Sequence, residues 1–505
     1  TTALKKLILA AILFFTASQI SLGNYSTPGT GKIWNLDSLV ANSAGDVTFS
    51  SGSYFVNDTI TISASDTVRV KTDFVMKLAS QVFIDIFGVL IIDPSSAGTI
   101  TARDTSQKFL GLKYEDQSDG SILRKTTFEY GNGIRMLDCN ILIDSCTIRF
   151  NTLNSMFSSY AISLFRSNSI ISNNRIYRNR RSAIGSGANI ASSPKIISNL
   201  IYENDTENAN VPQINLGASA SDTLLIRGNT ITGLYDNCGG ISLLPVGSIP
   251  IALIENNLIR KNRYGIAVGG GSSNIIIRGN TIDSNNIQGL PNLGGSGINF
   301  NGASSQVCIV TGNKIRGNLW GITIQGTAKP NMGNLDNSNN QDDGLNAIYW
   351  NSNSGKTFDL YNNTPDSIKA ENNWWGSDNP DTVEAHIFHK QDSSVLGFVD
   401  FMPLGIMTHA GNSIENVIPS SIEVIVFPNP FNPVTTLRFA LPESGLTEIV
   451  IYDLSGKIVK YISNELRNAG RNFQILNAYG FSSGAYFFRI KSGRYSAVGK
   501  LVLLK

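Results

Sequence analysis

Charged residues are scarce in this chain: Asp, Glu, Lys and Arg make up 15% of its 505 residues, where about a quarter is usual. The 40 basic and 38 acidic residues almost cancel and leave a formal net charge of +2. Proteins that bind nucleic acid need a concentrated basic surface to neutralise phosphates. The composition therefore argues against a nucleic-acid partner.

Histidine is rarer still, with three residues in the whole chain. His386 and His389 are three apart, a spacing that on a helix would bring both rings to one face. No acidic cluster accompanies them, so zinc binding is the weaker interpretation. We expect instead an exposed segment that caps the domain, and we predict no metal site.

The sequence also lacks an apolar run long enough to span a bilayer. Its N-terminus has Lys5 and Lys6, then the apolar run 7–15, then small residues up to Gly23. This order predicts a signal peptide over residues 1–23, with a buried helix as the alternative. No membrane span is expected once the signal is removed.

An internal repeat organises the middle of the chain, where short segments align on a central isoleucine about every 28 residues. Two residues before this anchor stands Asn, replaced once by Cys146, and three residues after it stands Asn, replaced once by Leu234. Five residues before it stands Ile or Val. The anchors are Ile148, Ile176, Ile201, Ile231, Ile259, Ile282 and Ile315.

This pattern predicts an all-β solenoid over residues 24–404, with a cap at each end. Short strands bury alternate isoleucines, and Asn suits tight turns because it tolerates left-handed backbone conformations. When coils stack, equal positions superpose and form ladders. Trp375 in the anchor position of NNWWG is expected to close the aliphatic stack.

The four cysteines have no C-x-x-C spacing. Cys146 and Cys308 fall in columns occupied elsewhere by Asn and by Ile or Leu, so we predict that both are buried. Disulfide formation in the exported protein is the alternative.

The repeat NN-x-I-x-x-N-x-x-GI and the closing NNWWG at 372–376 resemble the right-handed parallel β-helix repeat proteins, pectin lyase-like in fold. The resemblance covers about residues 48–404. It implies the fold far more than an activity, because such proteins include polysaccharide lyases, glycoside hydrolases and adhesins.

After a polar linker at 405–421, residues 422–505 alternate strands with turns and predict a small immunoglobulin-like β-sandwich. They closely resemble the type A C-terminal sorting domain of the type IX secretion system. The matching residues include Pro428, Asn429, Pro430, Phe431, Asn432, Pro433, Gly456, Gly484, Tyr486 and Lys505. The resemblance implies export by the type IX machinery to the outer surface or medium of a Gram-negative bacterium. An ordinary sugar-binding module is the alternative.

Candidate catalytic groups are sparse. No G-x-S-x-G, H-E-x-x-H or phosphate-binding glycine loop occurs. The adjacent carboxylates Asp342 and Asp343 could serve catalysis or bind calcium, but a solvated loop is the preferred interpretation. Glycoside hydrolysis needs opposed carboxylates and is disfavoured.

Basic and aromatic residues recur just after the anchors and would form an outward stripe along the coils. Tyr rings offer sugars an apolar face, and Arg suits carboxylates or sulfates. An ordinary solvated strand face is the preferred interpretation of this column, but insertions at 151–161, 205–213 and 286–296 emerge from the same turn and could wall a groove beside it. The stripe comprises Arg149, Tyr177, Arg178, Arg181, Tyr202, Arg260, Lys261, Arg263, Tyr264 and Arg316.

The sequence therefore predicts a secreted or cell-surface β-helix that binds carbohydrate, with acidic polysaccharide as one candidate ligand. It leans away from an enzyme and predicts no cofactor. One alternative is a polysaccharide lyase acting on uronate-containing glycans, for which calcium would be the expected cofactor. The other is a non-catalytic structural or adhesive rod.

Overall fold

The computed structural model describes residues 24–152, 157–405, 421–427, 429–467 and 469–504. The chain forms two compact units, Thr1–Thr408 and His409–Lys505. The predicted signal peptide, residues 406–420 of the predicted linker, Pro428 and Lys505 lie outside the described residues.

In the first unit the chain winds through three long sheets, numbered 1 to 3. Each regular coil contributes a strand to sheet 1, then to sheet 2 and then to sheet 3. All pairings between coils are parallel, and only the hairpin Val47–Ser50 with Ser53–Val56 is antiparallel within these sheets. Two short helices, α1 (Leu36–Asn42) and α2 (Pro380–Glu384), lie near the ends.

The strands follow in the order in which they pair. Sheet 1 contains Ile33–Trp34, Thr67–Val70, Val89–Ile92, Ile122–Arg124, Leu142–Asp144, Ile170–Ser172, Lys195–Ile197, Leu224–Arg227, Ile249–Glu255, Ser273–Arg278 and Gln306–Thr311. Sheet 2 contains Val47–Ser50, Ser53–Val56, Phe74–Leu78, Gly98–Ala102, Thr126–Glu129, Thr147–Arg149, Arg175–Tyr177, Leu200–Tyr202, Thr230–Thr232, Leu258–Arg260, Thr281–Asp283, Lys314–Arg316 and Ala347–Tyr349. Sheet 3 contains Tyr25–Ser26, Ile60–Ile62, Phe83–Ile86, Gly111–Tyr114, Ile134–Leu137, Ile162–Phe165, Ile184–Ser186, Pro212–Leu216, Gly239–Leu243, Ile266–Gly270, Ser296–Gly302, Trp320–Gly326, Leu360–Asn362 and Ile387–Phe388. Two minor pairs join Ser352–Asn353 to Lys356–Thr357 and Ile368–Lys369 to Val399–Asp400.

Isoleucine ladders fill the interior, as the repeat predicts. The seven anchors pair directly from coil to coil along sheet 2, and every one is fully buried. Ile348 extends this ladder, and Trp375 ends it in a fully buried position. The predicted closing role of Trp375 agrees with this placement.

An asparagine ladder runs along the turn between sheets 1 and 2. In it each side-chain Nδ2 donates to the Oδ1 of the next asparagine over 2.8–3.0 Å, and each Oδ1 also accepts from a backbone N–H. Buried turn amides are thereby satisfied from coil to coil. The ladder runs through Asn174, Asn199, Asn229, Asn257, Asn280, Asn313, Asn346 and Asn373.

A second ladder, between sheets 2 and 3, breaks where Leu234 replaces asparagine. Gln213 fills the gap: its Oε1 accepts from Asn204 Nδ2 at 2.8 Å, and its Nε2 donates to the carbonyl of Thr232 at 3.3 Å. Gln213 is fully buried. On the far side of the break, Asn262 Oδ1 has no hydrogen-bond partner among the described residues.

The two ends of the coil stack are closed differently. At the first coils, α1 starts with a capping box between Asn35 and Ser38 and packs Leu36 and Leu39 into the core. At the last coils, the second ladder ends on buried Asp359, whose Oδ1 accepts from Asn351 at 2.9 Å. His386 Nδ1 lies 3.1 Å from the other oxygen of Asp359.

We expect the first unit to lose stability as the pH rises through the pKa of His386. The Asp359 carboxylate, 3.1 Å away, raises the pKa of His386 above its usual 6.5, and burial raises the pKa of Asp359. Both groups hold protons more tightly when folded, so their stabilisation is complete at low pH and is lost as the pH rises. Urea denaturation followed by Trp fluorescence should show a lower midpoint at about pH 8 than at about pH 6. His386→Asn should flatten this difference, and an unchanged pH profile in that variant would contradict the assignment.

The structure corrects two predictions for the C-terminal end of this unit. His389 is not exposed and His386 is not on a helix with it, since α2 ends at Glu384. His389 Nδ1 accepts the Val399 N–H at 2.9 Å, and its Nε2 lies 2.7 Å from the Glu384 carboxylate, so the ring is a buried structural link.

The acidic pair also differs from the solvated loop that the sequence predicts. Asp342 is buried and accepts hydrogen bonds from the side chains of Asn331 and Asn337 at 2.7 and 3.2 Å. The four cysteines are unpaired and buried, as predicted for Cys146 and Cys308, and burial raises the pKa of both thiols to about 12.

The second unit is a sandwich of two antiparallel sheets around one apolar core. One sheet contains Glu423–Phe427, Val434–Leu441 and Gly470–Asn477. The other contains Ile458–Arg467, Gly445–Tyr452, Gly484–Ser492 and Tyr495–Leu503.

The proline-rich motif of this unit is bound to its last strand. The buried Phe431 donates its N–H to Val502 and accepts from the Leu504 N–H, both at 2.9 Å. Asn429 brackets the same strand through Val502 N and Lys500 O. The motif therefore fixes the C-terminal strand to the sandwich.

Candidate functional site

Five of the ten predicted stripe residues lie in one outward column of sheet 2, namely Arg149, Tyr177, Tyr202, Arg260 and Arg316. Direct pairing along that sheet aligns its residues over successive coils, beginning one coil before Arg149 and ending one coil after Arg316. The column reads Glu129, Arg149, Tyr177, Tyr202, Thr232, Arg260, Asp283, Arg316 and Tyr349.

Most of its positive charge is neutralised by carboxylates of adjacent coils, which the sequence analysis did not anticipate. Arg149 Nε lies 2.7 Å from Glu129, and Arg316 lies 3.0 Å from Asp283. Arg260 is exposed and has no ion pair among the described residues. This column therefore contains both ion-paired and unpaired cations.

A second column lies one residue further on, where the chain leaves sheet 2 in a left-handed turn. Phe150, Arg178, Glu203, Lys261 and Trp350 all have φ between 53° and 59° there. Arg178 Nε donates to Glu203 at 2.7 Å, whereas Lys261 is exposed without an ion pair in the described part of the chain.

Three stripe residues have other structural roles. Arg181 pairs with Glu207 at 2.8 Å. Arg263 donates to the carbonyl of Leu293 at 3.0 Å and so holds the insertion 286–296. The ring of Tyr264 packs over Gly239, and burial raises the pKa of its hydroxyl to about 12. The Tyr264 ring therefore has a packing role that the sequence does not predict.

Aromatic rings form a continuous row at the N-terminal part of this face. Tyr130 and Phe150 stack with centroids 5.3 Å apart, Phe150 meets Tyr177 edge-on at 6.1 Å, and Tyr177 stacks on Tyr202 at 4.7 Å. Stacked coils place equal positions about 4.8 Å apart. Aromatic residues in one column therefore stack without further adjustment.

An open cleft of about 460 Å³ lies beside this row. Tyr130 and Phe150 form part of its lining, and the insertion 205–213 contributes Thr206 and Glu207 to it. The charged and aromatic residues that line the cleft are Lys108, Tyr130, Phe150, Arg178, Arg180, Glu207 and Tyr235.

The charges in the cleft favour the binding of anions, and they disfavour proton donation by a carboxylic acid. Lys108 Nζ lies 4.5 Å from the centre of the Tyr130 ring, and burial lowers the pKa of Lys108. Arg180 lies 3.0 Å from Glu207, and its hydrogen bond, aided by Arg181, lowers the pKa of Glu207. Among the described residues that line the cleft, Glu207 supplies the only carboxylate.

Two of the three insertions are joined by hydrogen bonds along the same turn, whereas residues 153–156 of the insertion 151–161 lie outside the described residues. Asn237 N–H donates to Asn208 at 2.8 Å, and Gln288 donates to the Asn237 side chain at 2.8 Å. Arg263 also donates to Asn210. Residues 205–213 and 286–296 are therefore one hydrogen-bonded rim.

Sequence reasoning missed Lys108, Tyr130, Phe150, Glu207 and Tyr235. Phe150 occupies the position just before an Asn of the second ladder, the column of Arg178, so alignment of that position would have found it. Lys108 and Tyr130 lie in the less regular early coils. Tyr235 follows Leu234, where the repeat is broken.

The described part of the chain contains no group of three His, Cys, Asp or Glu side chains placed to hold a metal ion. Among the described residues, none of the helices is long and apolar enough to cross a membrane.

Comparisons with known proteins identify the two units. Residues 116–305 match the family described as right handed beta helix region, and residues 425–504 match the secretion system C-terminal sorting domain. Both resemblances seen in the sequence are confirmed, as is the fold class. No curated protein matches the chain.

Two solved structures show a distant likeness. The receptor-binding protein of bacteriophage Det7, a podoviral tailspike in a myovirus, is 10% identical, with 90% of this chain and 74% of that chain covered and a TM-score of 0.25. The tailspike protein gp49 of Acinetobacter baumannii bacteriophage Fri1, a capsular polysaccharide depolymerase, is also 10% identical, with 86% and 74% covered and a TM-score of 0.20. Likeness at this level carries no argument about function.

Proposed function

Because this chain is a right-handed parallel β-helix joined to a type IX sorting domain and hence an exported protein, we propose that it binds an acidic polysaccharide in the cleft beside sheet 2. The observation that carries the proposal is the stacked pair Tyr130 and Phe150 with cations around it. Nothing in the core or the turn ladders requires aromatic rings at these outward positions.

The lining suits sugars that carry carboxylate or sulfate groups. Aromatic rings pack against the apolar face of a sugar ring, while Arg forks bind oxyanions through paired N–H donors. Arg178 and Arg180 each contact a carboxylate through one nitrogen, which fixes the side chain and leaves further donors for a ligand. Because these long side chains are already fixed, less conformational entropy is lost when a ligand binds.

Binding accounts for the cleft better than hydrolysis does. Glycoside hydrolysis requires a protonated carboxylic acid opposite a second carboxylate. Glu207 has a lowered pKa and faces two arginines, so it stays ionised.

A polysaccharide lyase is the second candidate, favoured by one observation. A lyase needs a base near a cation that neutralises the uronate carboxylate. Burial lowers the pKa of Lys108, the direction that makes an amine a better base at neutral pH, and Arg178 lines the same cleft.

The test uses residues 24–505 against alginate, polygalacturonate, hyaluronan and neutral glucans. Affinity electrophoresis measures binding, and the absorbance of unsaturated uronate measures cleavage. Retardation by an acidic polymer without new absorbance supports the binding proposal. Cleavage that is lost in Lys108→Ala supports the lyase, and no interaction with any polymer overturns both.

Arg178→Ala should weaken binding of the acidic polymer about tenfold, because one charge-assisted contact of about 1.5 kcal/mol is lost. The matched control is Arg166→Ala. Arg166 is likewise exposed, has φ of 52° and pairs with a carboxylate, Asp138, but it lies in the turn after sheet 3. Equal affinities for the two variants would remove Arg178 from the site.

A further inference from the structure

Trp350 is an unusually exposed tryptophan on the same turn column as the cleft. Its side chain is 71% exposed, whereas Trp34 and Trp375 are buried and Trp320 and Trp374 are half-buried. It contacts Tyr349 edge-on at 4.8 Å, and Tyr349 hydrogen-bonds to Arg316. An exposed aromatic ring thus stands at the C-terminal end of the face, near the Arg316 that pairs with Asp283.

The register of sheet 2 fixes where this ring lies relative to the cleft. Arg149 and Tyr349 are seven strand steps apart along one column, and Phe150 and Trp350 are the residues that follow them. At about 4.8 Å per step, the two positions are roughly 34 Å apart.

The column between them presents unpaired positive charge. Arg260 and Lys261 lie four steps from the Arg149 strand and three from the Tyr349 strand. Both are exposed, and the described residues supply neither with an ion pair. A polyanion lying along the column would meet these cations midway.

We infer that Trp350 is a second sugar-binding platform and that a single acidic polysaccharide chain spans from the cleft to it. The inference rests on the proposed function and extends it to a ligand class, long polymers rather than short oligosaccharides. When one polymer occupies the first platform, its remaining sugars are held at a high effective concentration near the second. The affinity should therefore depend strongly on the length of the chain.

The expected signature is a length-dependent effect of Trp350→Ala. The probes are alginate, polygalacturonate and hyaluronan, each as the polymer and as a fragment of four sugars. The variant should bind the polymer about tenfold more weakly and the fragment as tightly as the unchanged protein, because the fragment cannot reach both platforms. Trp350→Phe should restore most of the polymer affinity.

Val246→Ala is the matched control, because Val246 is also 71% exposed but lies in the turn between sheets 3 and 1. Acrylamide quenching of Trp fluorescence gives an independent readout, since Trp350 is the most accessible of the five tryptophans. The polymer should protect this fluorescence, and the fragment should not.

The outcomes separate the two proposals. Polymer binding that depends on Arg178 but not on Trp350 overturns the spanning inference and leaves the cleft intact. Equal weakening of polymer and fragment by Trp350→Ala also overturns it, because length would then not matter. Absence of binding by every acidic polymer defeats the cleft proposal itself.

Discussion

Asn257→Ala is expected to lower the free energy of unfolding of the β-helix by about 3–5 kcal/mol, because several buried polar groups lose their partners together. Asn257 Oδ1 accepts from the backbone and side-chain nitrogens of Asn229, at 2.9 and 3.0 Å. Its Nδ2 donates to the carbonyl of Ile226 and to Asn280 Oδ1, both at 2.9 Å. Alanine replaces none of these contacts, and the side chain of Asn257 is buried from solvent.

The measurement is urea denaturation followed by Trp fluorescence, which reports on this unit alone because all five tryptophans precede residue 376. The control is Asn274→Ala, since Asn274 is exposed on a strand of the neighbouring coil. It should change stability by less than about 0.5 kcal/mol. Similar losses for both variants would show that the ladder contributes no special stability.

Trp375→Ala is expected to lower the free energy of unfolding by about 3–5 kcal/mol, and the loss should be localised at the last coils. Trp375 is fully buried at the end of the sheet 2 ladder, after Ile348, and removing its ring leaves a cavity there. In a solenoid each coil contacts mainly its neighbours, so the end should fray before the middle unfolds. Hydrogen exchange should therefore accelerate in Ala347–Tyr349 and Leu360–Asn362.

Trp374→Ala serves as the control because Trp374 is half-buried and adjacent in sequence. It should leave exchange in those strands nearly unchanged. Uniform acceleration throughout the coils by Trp375→Ala would instead show that the stack unfolds as one cooperative unit.

The core of the β-helix could be predicted from sequence because stacking converts sequence spacing into spatial columns. Once Ile148 and Ile176 are aligned, their neighbours in the coil follow, and so do the asparagines before and after them. The same logic placed Arg149, Tyr177 and Arg260 on one outward column, which the register confirms. Whether that column binds sugar stays a prediction.

The structure differs from the sequence predictions where contacts depend on residues outside the repeat. Gln213 bridges the broken ladder from an insertion, and the repeat does not predict the path of the chain there. Glu129 neutralises Arg149 from an earlier coil that the alignment did not reach. His389 was expected to be exposed, yet the last coils bury it against Val399 and Glu384.

The sequence by itself determined the coil, its apolar interior, its asparagine turns and the export domain, because each of these repeats or carries a specific local motif. Only the tertiary structure decided which charges remain free and where a ligand would fit. A cleft such as that between Tyr130, Arg178 and Glu207 forms from residues of separate coils and of the insertions that begin at 151 and 205. Side-chain pairing across coils depends on exact spatial neighbours, and a linear pattern does not specify those neighbours where the repeat is interrupted.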